Sequence, residues 1–305
     1  MAARRLWLIF AGELSTYALV IALLNAKLGI QIVVLVAAVP VAMLGVRIAL
    51  VLGSFLFAAL VERGPPIGFV AWLKMIALEF LAFLRFQVLI ATHPHNDRPA
   101  SEQEANLPLL VLLHGVYCNG AIWRPIVHDL QRRTGCAIRT PDLEPPLAAL
   151  EVQARSLAKW LQTAAAVHPA RPIIVVAHSL GGLMVRQILL EHPSVPLRAI
   201  YVGTPHRGTL IARALRALIG RDLRQKSAAL AVLERGALPH DAMNIYTLHD
   251  NLVVPASTSE LAGVRNRTVI GCGHMALIYS REVRDLLCDE IGRVLSTYRG
   301  ATATT

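Results

Sequence analysis

The chain is poor in cysteine, and its few cysteines lack the spacing of a metal site. Only four occur among 305 residues, and no two of them form a C-x-x-C pair. This spacing argues against a zinc site and predicts free thiols, although pairing of Cys118 with Cys272 stays open because sequence alone does not pair distant cysteines. His93 and His95 lie in a polar stretch with prolines, where histidines are usually solvated. We therefore expect no metal and no cofactor.

Acidic residues are also scarce relative to basic ones, but the basic excess is not concentrated. The sequence has 30 Lys and Arg against 20 Asp and Glu, which gives a net charge of +10. Its arginines do not cluster with aromatic side chains, as a nucleic-acid-binding surface would require, so we predict no nucleic-acid partner. Two interpretations of the charge stay open: attraction to anionic lipid headgroups, or a basic face that is merely solvated.

Long apolar runs, by contrast, fill the first 91 residues. They cover residues 6–24, 30–61 and 67–90. A membrane-crossing helix needs about 20 apolar residues, so the first run fits one crossing and the second is longer than one crossing needs. The third run carries Lys74, Glu79 and Arg85 without a clean polar face. Three arrangements of this run stay open: it crosses the membrane, it lies at the membrane surface, or it packs under the domain that follows.

A cleaved signal peptide is the competing interpretation of the first run, because Arg4 and Arg5 precede it. Glu13 and Thr16 interrupt this run, however, and no small-x-small cleavage site precedes Lys27. We therefore predict an uncleaved, multi-pass membrane anchor over residues 1–91. The basic amino terminus favours a cytoplasmic start. Two crossings would then leave the rest of the chain in the cytoplasm, and three would put it outside.

After a polar linker at 92–107, apolar strands alternate with helical segments. The expected strands cover residues 109–113, 136–140, 173–176, 197–202, 243–248 and 267–270. This alternation predicts an α/β domain over 108–298, with a mostly parallel sheet of about six strands and helices on both faces. Residues 299–305 are expected to form a disordered tail. In such sheets the chemistry gathers beyond the carboxyl ends of the strands.

Ser179 stands at a tight turn between a buried strand and a helix. In such a turn the serine backbone is strained, which lifts the hydroxyl clear of the sheet and toward the positive end of the helix. The usual pattern for this turn is G-x-S-x-G, and here Ala177 replaces the first glycine. Gly181 and Gly182 supply the small neighbours that the close approach of the two chain segments requires.

Asp250 and His274 follow the last two predicted strands. A serine hydroxyl needs a base to remove its proton, and a carboxylate behind an imidazole fixes the tautomer and stabilises the imidazolium. We therefore predict a catalytic triad of Ser179, Asp250 and His274. The N–H groups of Val116 and Leu180 are expected to form the oxyanion hole, because donors must meet the charge that develops on the carbonyl oxygen.

Several short motifs carry a resemblance over residues 107–295. They are His114-Gly115, Trp123, Pro141-Asp142-Leu143, His178–Gly182, Gly203–Gly208, Asp250–Pro255 and Gly273-His274. Together they resemble the bacterial triacylglycerol lipase and esterase branch of the α/β-hydrolases. The resemblance implies an α/β-hydrolase fold, with Ser179 as nucleophile, Asp250 as acid and His274 as base. It also implies that Val116 and Leu180 line the oxyanion hole.

The same resemblance implies a mobile helical lid within residues 209–236. Its apolar face would comprise Leu210, Ile211, Leu215 and Leu218. Many of these lipases hold a calcium ion through an aspartate shortly after the catalytic histidine. Here Met275, Ala276 and Leu277 follow His274, so no calcium is expected.

The sequence thus predicts a membrane-anchored serine carboxylesterase or lipase, located in the bacterial inner membrane and cleaving carboxylic esters through an acyl-enzyme. Lipid esters are favoured because they concentrate at the bilayer. Two alternatives stay open. One is a thioesterase, amidase or acyltransferase that uses the same triad, and the other is a non-catalytic, membrane-bound binding module. The acyl chain length, the head group and the oligomeric state are left open.

Overall fold

The computed structural model describes residues 2–92, 107–143, 145–167, 172–192, 197–214, 218–236 and 241–302. Nearly all of the predicted linker at 92–107, including His93 and His95, therefore lies outside the described residues.

Three long helices form the amino-terminal part of the molecule. They are α1 (Ala2–Leu28), α2 (Ile32–Val61) and α3 (Phe69–Thr92). All three are long and apolar enough to cross a membrane. Each corresponds to one of the apolar runs in the sequence, and most of their large apolar side chains are exposed.

An ion pair joins the first two helices within this apolar region. Arg47 on α2 donates to both carboxylate oxygens of Glu13 on α1, at 2.5 and 2.6 Å. The Tyr17 hydroxyl donates to the same carboxylate at 3.0 Å. A charge in apolar surroundings is costly unless it is paired. The pair explains how an apolar run can contain Glu13.

The third helix packs against the domain that follows it. Its buried positions repeat every three or four residues, which defines one face of a helix: Met75, Glu79, Ala82, Phe86 and Ile90. Its opposite face carries exposed Leu73, Leu81 and Val88. The structure thus shows that this run packs against the following domain, and its length and apolarity also fit a membrane crossing.

The domain is built on a six-stranded sheet in the order β2-β1-β3-β4-β5-β6. All neighbouring strands are parallel. The strands are β1 (Leu109–Leu113), β2 (Ala137–Arg139), β3 (Ile173–His178), β4 (Leu197–Val202), β5 (Met243–Thr247) and β6 (Arg265–Val269). The predicted α/β fold with a parallel sheet of about six strands is confirmed.

Helices cover both faces of this sheet. They are α4 (Arg124–Thr134), α5 (Leu150–Val167), α6 (Leu180–Glu191), α7 (Leu218–Asp222), α8 (Ala228–Glu234) and α9 (Arg281–Thr302). Because side chains alternate along a strand, Val175 packs on the α5 and α6 side and Val176 on the α4 and α9 side. Phe86 and Ile90 of α3 belong to the second of these cores.

The carboxyl end of the domain departs from expectation. Helix α9 continues to Thr302, where the sequence predicted a disordered tail from residue 299. The Ser296 and Thr297 hydroxyls donate to the Arg293 carbonyl, so these polar side chains find partners on the helix itself. They therefore do not end the helix.

The Glu13–Arg47 pair predicts a specific order of stabilities. Arg47→Met should lower the free energy of unfolding by about 3 kcal/mol because it leaves a carboxylate unpaired in apolar surroundings. Glu13→Leu combined with Arg47→Met should cost less than Arg47→Met alone. Thermal unfolding of the detergent-purified protein would measure this order, and a double variant less stable than both single variants would contradict it.

Candidate active site

Ser179 occupies the turn between β3 and α6 in a strained backbone conformation. Its φ is 56° and its ψ is −124°, a combination that residues other than glycine rarely adopt. The Ser179 N–H donates to the Val202 carbonyl at 2.9 Å, which ties the turn to the end of β4. The strained strand–serine–helix turn expected from the sequence is therefore present.

Small residues allow the chain segments around this turn to approach closely. A Cβ on Gly182 would lie 2.0 Å from the Thr204 Oγ1, and one on Gly115 would lie 2.8 Å from the Ser179 Cβ. Neither position can hold a larger residue without displacement of its neighbours. Ala177, in place of the usual first glycine, is fully buried within β3. Its extra methyl group is therefore accommodated in the sheet core.

Asp250 lies just beyond β5, and both of its carboxylate oxygens accept hydrogen bonds. One oxygen accepts the N–H groups of Leu252 and Val253 at 2.8 and 2.6 Å. The other lies 2.8 Å from the Nδ1 of His274. The hydrogen bond to a carboxylate places the proton of a neutral imidazole on Nδ1 and leaves Nε2 as the acceptor. An imidazole in this state can take a proton from a hydroxyl.

His274 lies in the loop after β6, and two side chains hold its backbone in place. Its N–H donates to the Asn251 side chain at 3.0 Å. Its carbonyl lies 3.2 Å from the Nε2 of His178, and the two imidazole rings are 4.7 Å apart. Burial, followed by the neighbouring His274, holds the pKa of His178 well below its usual range. His178 is thus a neutral donor that braces the His274 backbone.

The surroundings of His274 also set its affinity for a proton. Burial alone would lower the pKa of His274, but the charge of Asp250 and its hydrogen bond act in the opposite direction, as does the charge of Glu79. The net effect raises the pKa of His274 above its ordinary value of 6.5. A base with a raised pKa accepts a proton more readily.

Ser179 and His274 line the same cavity, which has a volume of about 310 Å³. Its walls are mainly apolar and include Phe83, Phe86, Val116, Ile211, Leu223 and Met275. In the described part of the chain, the Ser179 hydroxyl makes no hydrogen bond with His274. Such contacts often form fully only when a substrate is bound. The structure thus joins Asp250 to His274 by a hydrogen bond and brings Ser179 to their cavity.

The two predicted oxyanion-hole residues flank Ser179. Leu180 begins α6, and Val116 lies in the loop after β1, the strand that pairs with β3. Neither backbone N–H donates to an acceptor within the described ranges. The role of these two N–H groups as an oxyanion hole stays a prediction.

Comparison with known proteins agrees with this architecture. Residues 110–257 match the alpha/beta hydrolase family. This part of the chain is thus similar to the α/β-hydrolases, and the six-stranded parallel sheet has the α/β-hydrolase fold. Among solved structures, Aspergillus fumigatus lipase B is 17% identical with a TM-score of 0.54, and the match covers 63% of this chain and 54% of that one. The chain therefore spans about half the length of that lipase.

A second similar structure is the mature form of Bacillus licheniformis lipase BlEst2. It is 15% identical with a TM-score of 0.50, and the match covers 65% of this chain and 96% of that one. At such low identities, the likeness to both lipases concerns the fold alone.

Sequence reasoning did not identify three polar residues that hold the His274 loop of the hydrolase. They are Glu79, His178 and Asn251. A signal was available for Glu79, because an ionisable residue within an apolar run is a functional candidate in its own right. His178 and Asn251 each adjoin a predicted triad residue, but their sequence positions do not indicate that both would contact His274.

The segment predicted as a lid contributes to the cavity. Ile211 and Leu223 line it, whereas Leu210 is only half-buried. Leu215 and the side chain of Leu218 lie outside the described residues. The segment folds as a short 3-10 helix followed by α7 and α8. The mobility implied by the family resemblance stays a prediction.

The four cysteines of the chain are free. Burial raises the pKa of both Cys118 and Cys272 to about 12, so each is a protonated thiol near neutral pH. The disulfide that the sequence left open is not formed. Within the described ranges, no three His, Cys, Asp or Glu side chains cluster as metal ligands would.

The raised pKa of His274 predicts how activity depends on pH. The base must be neutral to accept the serine proton, so activity should be lost as the pH falls through this pKa. We expect kcat/KM for a p-nitrophenyl ester to fall on the acid side with a midpoint above 6.5. A second ester with a different leaving group should give the same midpoint, and a value below 6.5 for both esters would contradict the prediction.

Proposed function

We propose that this protein is a membrane-anchored serine hydrolase that cleaves carboxylic esters, lipid esters in particular, through an acyl-enzyme. One observation carries the proposal. The imidazole of His274 is held by Asp250 at 2.8 Å and lines the same apolar cavity as Ser179, whose backbone is strained. A hydroxyl, an imidazole and a carboxylate at three strand exits are the groups that acyl transfer requires.

In the proposed reaction, the Ser179 Oγ attacks the ester carbonyl while the His274 Nε2 takes the serine proton. Asp250 stabilises the imidazolium that results. The N–H groups of Val116 and Leu180 bind the oxyanion of the tetrahedral intermediate. This intermediate collapses as the imidazolium gives its proton to the leaving alcohol. Water, deprotonated by His274, then attacks the acyl-enzyme, and the acid is released with Ser179 restored.

The lining of the cavity supports an apolar acyl group as the substrate part that binds there. Phe83 and Phe86 of α3 line the cavity together with Ile211 and Leu223 of the segment predicted as a lid. In the part of the chain that the structure describes, no Asp, Glu, Lys or Arg side chain lines the cavity. An apolar cavity with a few polar groups at one end suits a fatty acyl chain with its carbonyl at Ser179.

The proposed location follows from the amino-terminal helices. Each of α1–α3 is long enough to cross a bilayer, and their exposed apolar side chains would be covered by lipid. We place the protein in a bacterial inner membrane, as the sequence predicted, with membrane lipids as its surroundings. Because α3 also lines the cavity, the site lies next to the bilayer where lipid esters accumulate. The two similar structures are lipases by name.

Removal of the serine hydroxyl is the direct test of this function. We expect Ser179→Ala to lower kcat for a p-nitrophenyl ester by at least about 10⁴-fold, because the nucleophile is lost. A fluorophosphonate probe should label the wild-type protein at Ser179 and leave the variant unlabelled. Ser257→Ala, a matched change outside the cavity, should keep both activity and labelling.

Absence of labelling in folded, membrane-embedded wild-type protein would contradict the proposal. It would favour the non-catalytic binding module that the sequence left open. Labelling without ester cleavage would instead direct attention to thioesters, amides or acyl transfer.

The cavity wall predicts how acyl chain length is selected. Phe83→Ala should enlarge the cavity and raise the ratio of kcat/KM for a long-chain ester to that for a short-chain ester by about tenfold. Leu81→Ala is the matched control, because Leu81 is on the exposed face of the same helix. Kinetics over a series of p-nitrophenyl esters would measure both variants, and an equal shift in the two would contradict this role of Phe83.

A further inference from the structure

Helix α3 reaches the loop of His274 through one buried carboxylate. Glu79 is only 1% exposed. Its two oxygens accept the backbone N–H groups of Met275 and Ala276, at 3.0 and 2.8 Å. These are the two residues directly after His274. A side chain of the amino-terminal helices therefore fixes the backbone that carries the predicted base.

The same carboxylate also contacts the residue before His274. A Cβ on Gly273 would lie 2.5 Å from the Glu79 Oε2, so the loop backbone passes directly over the carboxylate. The backbone conformation of Gly273 is not the left-handed one that favours glycine. Close approach to Glu79, rather than backbone freedom, is thus the reason why this position has no side chain.

A buried carboxylate carries a desolvation cost that a contact for packing alone would not need. Burial of a charge is unfavourable unless hydrogen bonds compensate it. Among the described residues, no Lys or Arg pairs with Glu79, and its hydrogen-bond partners are the N–H groups of the His274 loop. A leucine at this position would fill space without that cost. The carboxylate is suited to holding these N–H groups in place.

The loop is held from its other side by helix α2. The His274 N–H donates to the Asn251 side-chain oxygen, and the Asn251 amide donates to the Ser54 hydroxyl at 2.8 Å. Ser54 lies on α2 and Glu79 on α3. Both helices thus contact the polar groups that hold His274, and Glu79 does so directly.

We propose that Glu79 is a positioning residue of the hydrolase, which holds the His274 loop so that the imidazole faces Ser179. Helix α3 is then a working part of the active site as well as an anchor. The proposal rests on the proposed serine hydrolase function. It assigns to Glu79 no contact with substrate.

Variants of Glu79 provide the first arm of the test. Glu79→Ala should lower kcat by about 100-fold, the cost of misplacing a catalytic group by about 1 Å, with KM changed by no more than about twofold. Glu79→Gln keeps one acceptor oxygen and should lose only about tenfold in kcat. If Glu79→Ala does not fold, the kcat of the nearly isosteric Glu79→Gln provides this test.

The matched control is Glu62→Ala. The Glu62 carboxylate accepts the Ser257 N–H at 2.9 Å, so it too joins the amino-terminal segment to the domain, but at a loop other than that of His274. It should keep the kcat of the wild type. If Glu62→Ala loses as much kcat as Glu79→Ala, then Glu79 only attaches the amino-terminal helices to the domain. That result would overturn the proposal.

A double-mutant cycle with Gly273→Ala approaches the same contact from the loop side. Gly273→Ala should lower kcat because its methyl group displaces the carboxylate. Once Glu79→Ala has removed the carboxylate, the same methyl group should cost at least about fivefold less. Independent, additive losses would show that the two positions do not act through one contact, and would overturn the proposal.

Labelling by the fluorophosphonate probe separates this proposal from the one it rests on. Wild-type protein that fails to label at Ser179 would refute the hydrolase function itself. Wild-type protein that labels, together with folded Glu79 variants that retain wild-type kcat, would refute only the positioning role. Slower labelling of Glu79→Ala at an unchanged melting temperature would support it.

Discussion

Carboxylates in apolar surroundings impose the constraint on which the polar architecture of this molecule depends. Each needs hydrogen-bond donors for its oxygens, because no water replaces them in apolar surroundings. Asp250 takes two backbone N–H groups and the imidazole of His274. Glu79 takes two N–H groups of the next loop, and Glu13 takes Arg47 and Tyr17. The first two carboxylates together define the position of His274.

The fold was largely predictable because its determinants are local. The apolar strands of the parallel sheet, the strained turn at Ser179 and the order of the strand exits all follow from patterns within short segments. A parallel sheet brings the carboxyl ends of its strands to one edge, so segments far apart in sequence could be placed together. The hydrogen bond between Asp250 and His274 agrees with that placement, and their catalytic roles stay a proposal.

What the sequence did not predict depends on packing between distant segments. The contact between Glu79 and the His274 loop joins residues nearly 200 positions apart, and periodicity does not reveal it. The third apolar run was ambiguous because Lys74, Glu79 and Arg85 leave it without a clean polar face. The structure accounts for Glu79, which is buried against the domain. The sequence also ended the domain at residue 298, whereas helix α9 continues to Thr302.

The two faces of helix α3 determine where the folded unit of this protein begins. One face supplies Phe86 and Ile90 to the core beneath the sheet and Phe83 to the cavity wall, while the other carries exposed leucines. A chain cut at the polar stretch after α3 would lose that wall and uncover part of its own interior. The natural unit of this protein therefore extends back across the apparent boundary. The amino-terminal helices and the α/β domain share one core and cannot be exchanged as separate modules.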